Sequence, residues 1–137
     1  MSQIKSKARV KDLGEVFTAQ REVTAMLDLL PEEVFSNPLK TFLEPSCGTG
    51  NFLVEILKRK IQHNPNSLSI LKSLSAIYGV DIALENIQES KARMLAEVQS
   101  YLSNEEQKHA IELLDANIVH GDFLKGVTFV EHTWEKL

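Results

Sequence analysis

Three short apolar runs constrain this chain more than any other feature: each closes on polar residues, and helical periodicity separates one from the next. Thr41-Phe42-Leu43 breaks at Glu44-Pro45-Ser46-Cys47-Gly48-Thr49-Gly50, Ala76-Ile77-Tyr78-Gly79-Val80 ends at Asp81, and Asn117-Ile118-Val119-His120 ends at Gly121-Asp122-Phe123. No tight-hairpin signal lies between them, so the pattern predicts an α/β chain of parallel strands joined by crossovers, each right-handed. In open parallel sheets ligands bind beyond the carboxyl ends of the strands. Glu44, Asp81 and Asp122 stand at three such ends. One acid at an exposed strand end is commonplace; three at successive ends point to a site.

Val23, Met26, Leu27 and Leu30 carry the i, i+3, i+4, i+7 spacing of an amphipathic helix, with Thr18 placed as its N-cap. Pro31 and Pro38 bracket a loop. Helical composition returns from Asn51 to about Lys60, where Phe52, Val54, Ile56 and Leu57 are available for burial. Gln62 to Ser75, with a weak helical patch at Leu68, Leu71 and Leu74, reads as an insertion in the first crossover. A long helix follows, striped by Ile87, Met94, Leu95, Val98 and Leu102, and Ser103 with Glu106 matches a capping box opening another through Leu114.

At 137 residues the chain suits one domain, divided here into a basic arm over 1–13 and a folded part over 14–137. One cysteine, Cys47, allows no internal disulfide, and neither it nor the four histidines show metal-ligand spacing, so a reducing, cytoplasmic setting without a metal is expected. No apolar run reaches the length of a membrane span. A net charge of -4 and a pI near 5.6 lack the basic footprint of a self-sufficient nucleic-acid binder. Lys5, Lys7, Arg9 and Lys11 are the one basic stretch, read either as a solvated arm or as a phosphate contact.

Gly48-Thr49-Gly50 lets the backbone turn sharply and approach a ligand, while the helix after it offers unpaired N–H groups. The dinucleotide fingerprint G-x-G-x-x-G fails, because Leu53 holds its third glycine position, and no Gly-Lys-Ser/Thr follows to cradle phosphate. Cys47, near a helix start, is either a nucleophile or a small packing residue of the turn.

The segment Phe42-Leu43-Glu44-Pro45-Ser46-Cys47-Gly48-Thr49-Gly50-Asn51-Phe52 resembles the first cofactor motif of amino-methylating DNA methyltransferases, especially the adenine-N6 group of restriction-modification systems. Gly14-Glu15-Val16-Phe17-Thr18 resembles that group's Phe-Thr-Pro motif, with Ala19 standing where proline is usual. Gly79-Val80-Asp81-Ile82 and Gly121-Asp122-Phe123 resemble the next two motifs, in the group's order. The resemblance implies a Rossmann-like methyltransferase fold with an incomplete parallel sheet, and S-adenosylmethionine as cofactor. It places Phe17, Thr18, Glu44, Pro45, Ser46, Cys47, Gly48, Gly50, Asn51, Phe52, Asp81, Ile82, Asp122 and Phe123 in the cofactor site. Glu44 would face the methionine ammonium, and Phe17 with Thr18 would close over its carboxylate. Asp81 would take the ribose hydroxyls, Ile82 and Phe123 would sandwich adenine, and Asp122 would accept from its amine. Simpler roles stay open: Thr18 and Asp81 as helix caps, Phe17 as a staple residue, Phe123 as core.

Methylation of a base amine needs an acceptor and an aromatic surface for the extruded base. The Asn/Asp-Pro-Pro-Tyr/Phe tetrapeptide that serves this in the resembled group does not occur here, so no catalytic residue is assigned. The expectation is a cofactor-binding portion of an adenine-N6 DNA methyltransferase, meeting DNA through regions largely outside this chain. The first strand, missing a neighbour, would drive self-association or pairing with a complementary chain. The alternatives are a non-catalytic scaffold and a small-molecule or protein methyltransferase.

Overall fold

The computed structural model describes residues 20–134. Three parallel strands, β1 (Phe42–Glu44), β2 (Ile77–Asp81) and β3 (Ile118–His120), form one sheet in the order β1-β2-β3. The helices are α1, described over 20–27, α2 (Glu33–Ser36), α3 (Asn51–His63), α4 (Ser67–Ser75), α5 (Leu84–Val98) and α6 (Asn104–Asn117). The parallel, helix-crossed sheet read from the three apolar runs is present, and each strand starts one residue later than its run does.

Side chains alternate across β2. Its Gly79 faces α3, where an added Cβ would lie 2.8 Å from Leu53 Cδ1. Since α3 packs on α5, α4 on α6, and all four touch β2, the helices form one layer on the Gly79 face. The core lies in this layer: Leu53, Leu57, Ile70, Leu74, Ile77, Met94, Val98 and Ala110 are fully buried. Each of the larger ones contributes about 1.5–3 kcal/mol of apolar transfer energy. The opposite face, carrying Tyr78 and Val80, is crossed by residues 126–134, which have no regular structure. Phe129 meets Tyr78 edge-on at 4.9 Å, His132 Nε2 lies 2.7 Å from Asn117 Oδ1, and Trp134 Nε1 donates to Ser75 Oγ at 2.9 Å.

Several expectations are corrected. The Pro31–Pro38 loop contains α2, whose Phe35 is buried and stacks on Phe42 at 5.7 Å. In α1 only Val23 and Leu27 are buried; Met26 is exposed within the helix, and Leu30 is exposed beyond its last residue, 27. Within the Gln62–Ser75 stretch, which lies in the first crossover as read, α3 runs on to His63, the Asn66 side chain caps α4, and Ile70, Leu71 and Leu74 enter the core while Leu68 stays exposed. Helix α6 continues past Leu114 to Asn117. Its Ser103–Glu106 capping box has both reciprocal bonds.

Lys60 is fully buried on α3, and its Nζ donates to the carbonyls of Asn37, Pro38 and Lys40 at 3.3, 2.9 and 2.7 Å. It fixes the loop that delivers the chain to β1. Burial pulls its pKa down to about 8.

Candidate functional site

The three strands end side by side, and backbone bonds carry the ladder into the loops beyond. Cys47 N–H donates to the Val80 carbonyl at 2.8 Å and Gly121 N–H to that of Asp81 at 2.9 Å. After β1 the chain needs left-handed backbone twice, with φ +55° at Gly48 and +96° at Gly50, which glycine alone adopts without strain. The space before Gly48 is open: a Cβ built there meets nothing within 4 Å. Gly50 is also the N-cap position of α3 and supplies no capping side chain, so the first-turn N–H groups are left for a ligand or solvent.

Asp81 joins the loops. Its Oδ1 accepts from Gly48 N–H at 3.1 Å, and its Oδ2 accepts from Ala83 N–H and the Asn86 amide, both at 2.9 Å. Burial opposes ionisation of this carboxyl, yet the donors from Ala83, Asn86 and Gly48 outweigh it and hold the pKa below the usual carboxylate value. The group is therefore an anion that clamps the turn after β1 to the segment leading into α5 without capping that helix, with Oδ1 retaining one acceptor direction. His120 Nε2 sits 2.9 Å from the Ile82 carbonyl and bridges the loops after β2 and β3.

The other anticipated residues fall as follows. Glu44 is half-buried and its Oε1 accepts from Ser46 N–H at 3.2 Å. Pro45 and Ser46 are exposed, and Asn51 is half-buried at the start of α3. Phe52 is half-buried and leans on the core, which directs its ring away from a purely ligand-facing role. Ile82 and Phe123 are 74% and 41% exposed, so Phe123 is not a core residue. Asp122 Oδ1 accepts from Leu124 N–H, leaving its second oxygen uncommitted among the described residues. Phe17, Thr18, Ala19 and the basic arm lie outside the described residues.

Cys47 is buried, and that burial, aided by the charges of Asp81 and Glu44 and opposed by a bond from Ser90, pushes its thiol up to about 11. A group so protonated at neutral pH packs the turn and is no nucleophile. Among the described residues no cluster of His, Cys, Asp or Glu could hold a metal ion, and no helix is long and apolar enough to cross a membrane.

Two residues of α5 escaped the sequence reading. Ser90 Oγ donates to the Gly48 carbonyl at 3.0 Å; Arg93 Nη1 donates to the Thr49 carbonyl and to Asn51 Oδ1 at 2.8 and 2.9 Å. Their spacing looks like an ordinary polar face. The one available signal was that Ser90 lies three residues after the buried Ile87 and four before Met94, on the core-facing side of α5.

A concavity of about 490 Å³ lies elsewhere, on the second sheet face, between β1 and Phe129, Val130 and Glu131. It has no helix terminus and one carboxylate at its rim, so it offers surface for packing, whereas the strand ends offer directed polar groups.

No protein family matches the chain, and no solved structure does. The Type II methyltransferase M.VspI of Vibrio sp. (strain 343) is 28% identical over 126 residues, 91% of this chain, while the chain spans 24% of that protein's length. The match supports a methyltransferase relationship for an α/β chain whose parallel strand ends converge on a glycine turn.

Proposed function

We propose that the chain binds S-adenosylmethionine across the carboxyl ends of β1, β2 and β3, as the cofactor-binding portion of a Rossmann-like DNA methyltransferase that acts on adenine N6 in a restriction-modification system. The observation that carries the reading is the bond from Gly48 N–H to Asp81 Oδ1, which holds the glycine turn and the second strand's acid together. The residues suit the ligand. The open face of Gly48 admits its backbone-hugging end, and the uncapped start of α3 suits the methionine carboxylate. Glu44 suits the ammonium. The remaining acceptor direction of Asp81 suits a ribose hydroxyl, and exposed Ile82 and Phe123 suit the two faces of adenine, with Asp122 accepting from its amine. Phe17 and Thr18 would close over the methionine end.

Bound there, the cofactor supplies a sulfonium methyl group open to attack by an amine nitrogen. The acceptor-binding tetrapeptide is not among these residues, and the charge of -4 suits DNA contact made mainly elsewhere. The likeness of residues 42–52 to the first motif of the amino-methylating DNA methyltransferases is the reason to prefer DNA over a small molecule as the methyl acceptor.

Titration calorimetry with S-adenosylhomocysteine tests this. One site with a Kd on the order of 10 µM is expected, and Phe123→Ala, which removes an exposed ring, should weaken it about three- to tenfold without altering the circular dichroism spectrum. Absence of binding at about 1 mM ligand would favour a scaffold that has lost the cofactor.

A further inference from the structure

We propose that Ser90 and Arg93 of α5 are positioning residues that hold the Gly48–Asn51 turn in its ligand-receiving shape, so that cofactor affinity is set in part from a helix outside every cofactor motif; this rests on the reading just given. A turn with two glycines has much backbone freedom, and a ligand that had to order it would bind weakly. Here the turn is ordered beforehand. Gly48 is gripped at both ends of its residue, its N–H by Asp81 and its carbonyl by Ser90. Arg93 adds two charge-assisted bonds, to the Thr49 carbonyl and the Asn51 side chain at the first position of α3. Ser90 is fully buried, and a Cβ at Gly50 would come within 2.9 Å of its Oγ, so the turn is seated directly on α5. Among the described residues Arg93 has no carboxylate partner at salt-bridge distance, which leaves the turn as the object of its charge.

The experiment pairs amide hydrogen exchange of the ligand-free protein with calorimetry, for wild type, Arg93→Ala, Arg93→Lys and Ser90→Ala. Exchange at the Gly48 and Gly50 amides, which donate to Asp81 and to the Cys47 carbonyl, should accelerate about tenfold in Arg93→Ala and Ser90→Ala while the central amides of α3, α5 and β2 keep wild-type protection. The Kd for S-adenosylhomocysteine should rise about tenfold in Arg93→Ala and recover partly in Arg93→Lys, which restores charge without the planar fork. A generally structural role would lower protection throughout and leave the Kd of the folded fraction unchanged; that result, or unaltered exchange at the turn, overturns the inference. If wild type itself fails to bind, the cofactor reading falls, and the exchange data alone decide whether α5 clamps the turn.

Discussion

A methyl group added at Gly50 would press on Ser90 Oγ at 2.9 Å while the backbone is held at φ +96°, so Gly50→Ala combines a clash with left-handed strain. A loss of about 1–3 kcal/mol in urea unfolding is expected. Gly79→Ala differs in kind: its backbone is ordinary strand, and the cost, also about 1–3 kcal/mol, comes from forcing Leu53 and Cys47 out of a full core. Asp81 sets an acid limit. Its folded pKa is depressed, so its contribution to stability is complete above the unfolded value of about 4 and is lost as pH falls through the lower folded value. Unfolding free energy measured from pH 6 downward should therefore fall more steeply below about pH 4 in wild type than in Asp81→Asn. At this scale the sequence showed which residues were chemically apt, since Gly48, Gly50 and Asp81 sit where strand periodicity breaks. It could not show that Asp81 Oδ1 is taken up by the Gly48 N–H, because that bond joins residues far apart in the chain, whereas the bonds from Ala83 and Asn86 are local.

Among the elements, α6 follows local rules most closely. The Ser103–Glu106 box satisfies two donors reciprocally, so Ser103→Ala should cost about 1 kcal/mol, read as a lower thermal midpoint. The three strands were legible because each is a dense apolar run beside a turn signal. Helix α2 was not, since four residues between two prolines carry no periodicity; Phe35 holds it by stacking on Phe42, a tertiary contact. Helix α4 was underestimated for a related reason. Its serines dilute the stripe, yet Ser73 and Ser75 are themselves buried against neighbouring elements, so polarity in sequence did not mean exposure. The Gln20–Glu55 and Arg59–Asp28 contacts tie α1 to α3, and nothing in the stripe of α1 announced them.

For the molecule as a whole, parallel sheets are normally covered on both faces, and here helices cover one while residues 126–134 cross the other. Among the described residues β1 pairs only with β2, Leu43 on it is 48% exposed, and the concavity of about 490 Å³ lies alongside. Self-association, or pairing with another chain, is accordingly expected. Light scattering after gel filtration at tens of micromolar should give a mass above the 15.4 kDa of one chain. The arrangement of the site was readable only as a consequence of topology: three parallel strands must bring their carboxyl ends together. The clamp from α5 followed from nothing in the motifs.

Whether the three strand-end loops form a single nucleoside cleft is decided by an amide-resolved NMR titration with S-adenosylhomocysteine. Gly48, Gly50, Asp81, Ile82, Asp122 and Phe123 should shift together along one saturable curve, with residues around Tyr78 and Phe129 unmoved. Shifts confined to the Tyr78 and Phe129 face, or no saturable shift at Gly48 and Asp81, would contradict it.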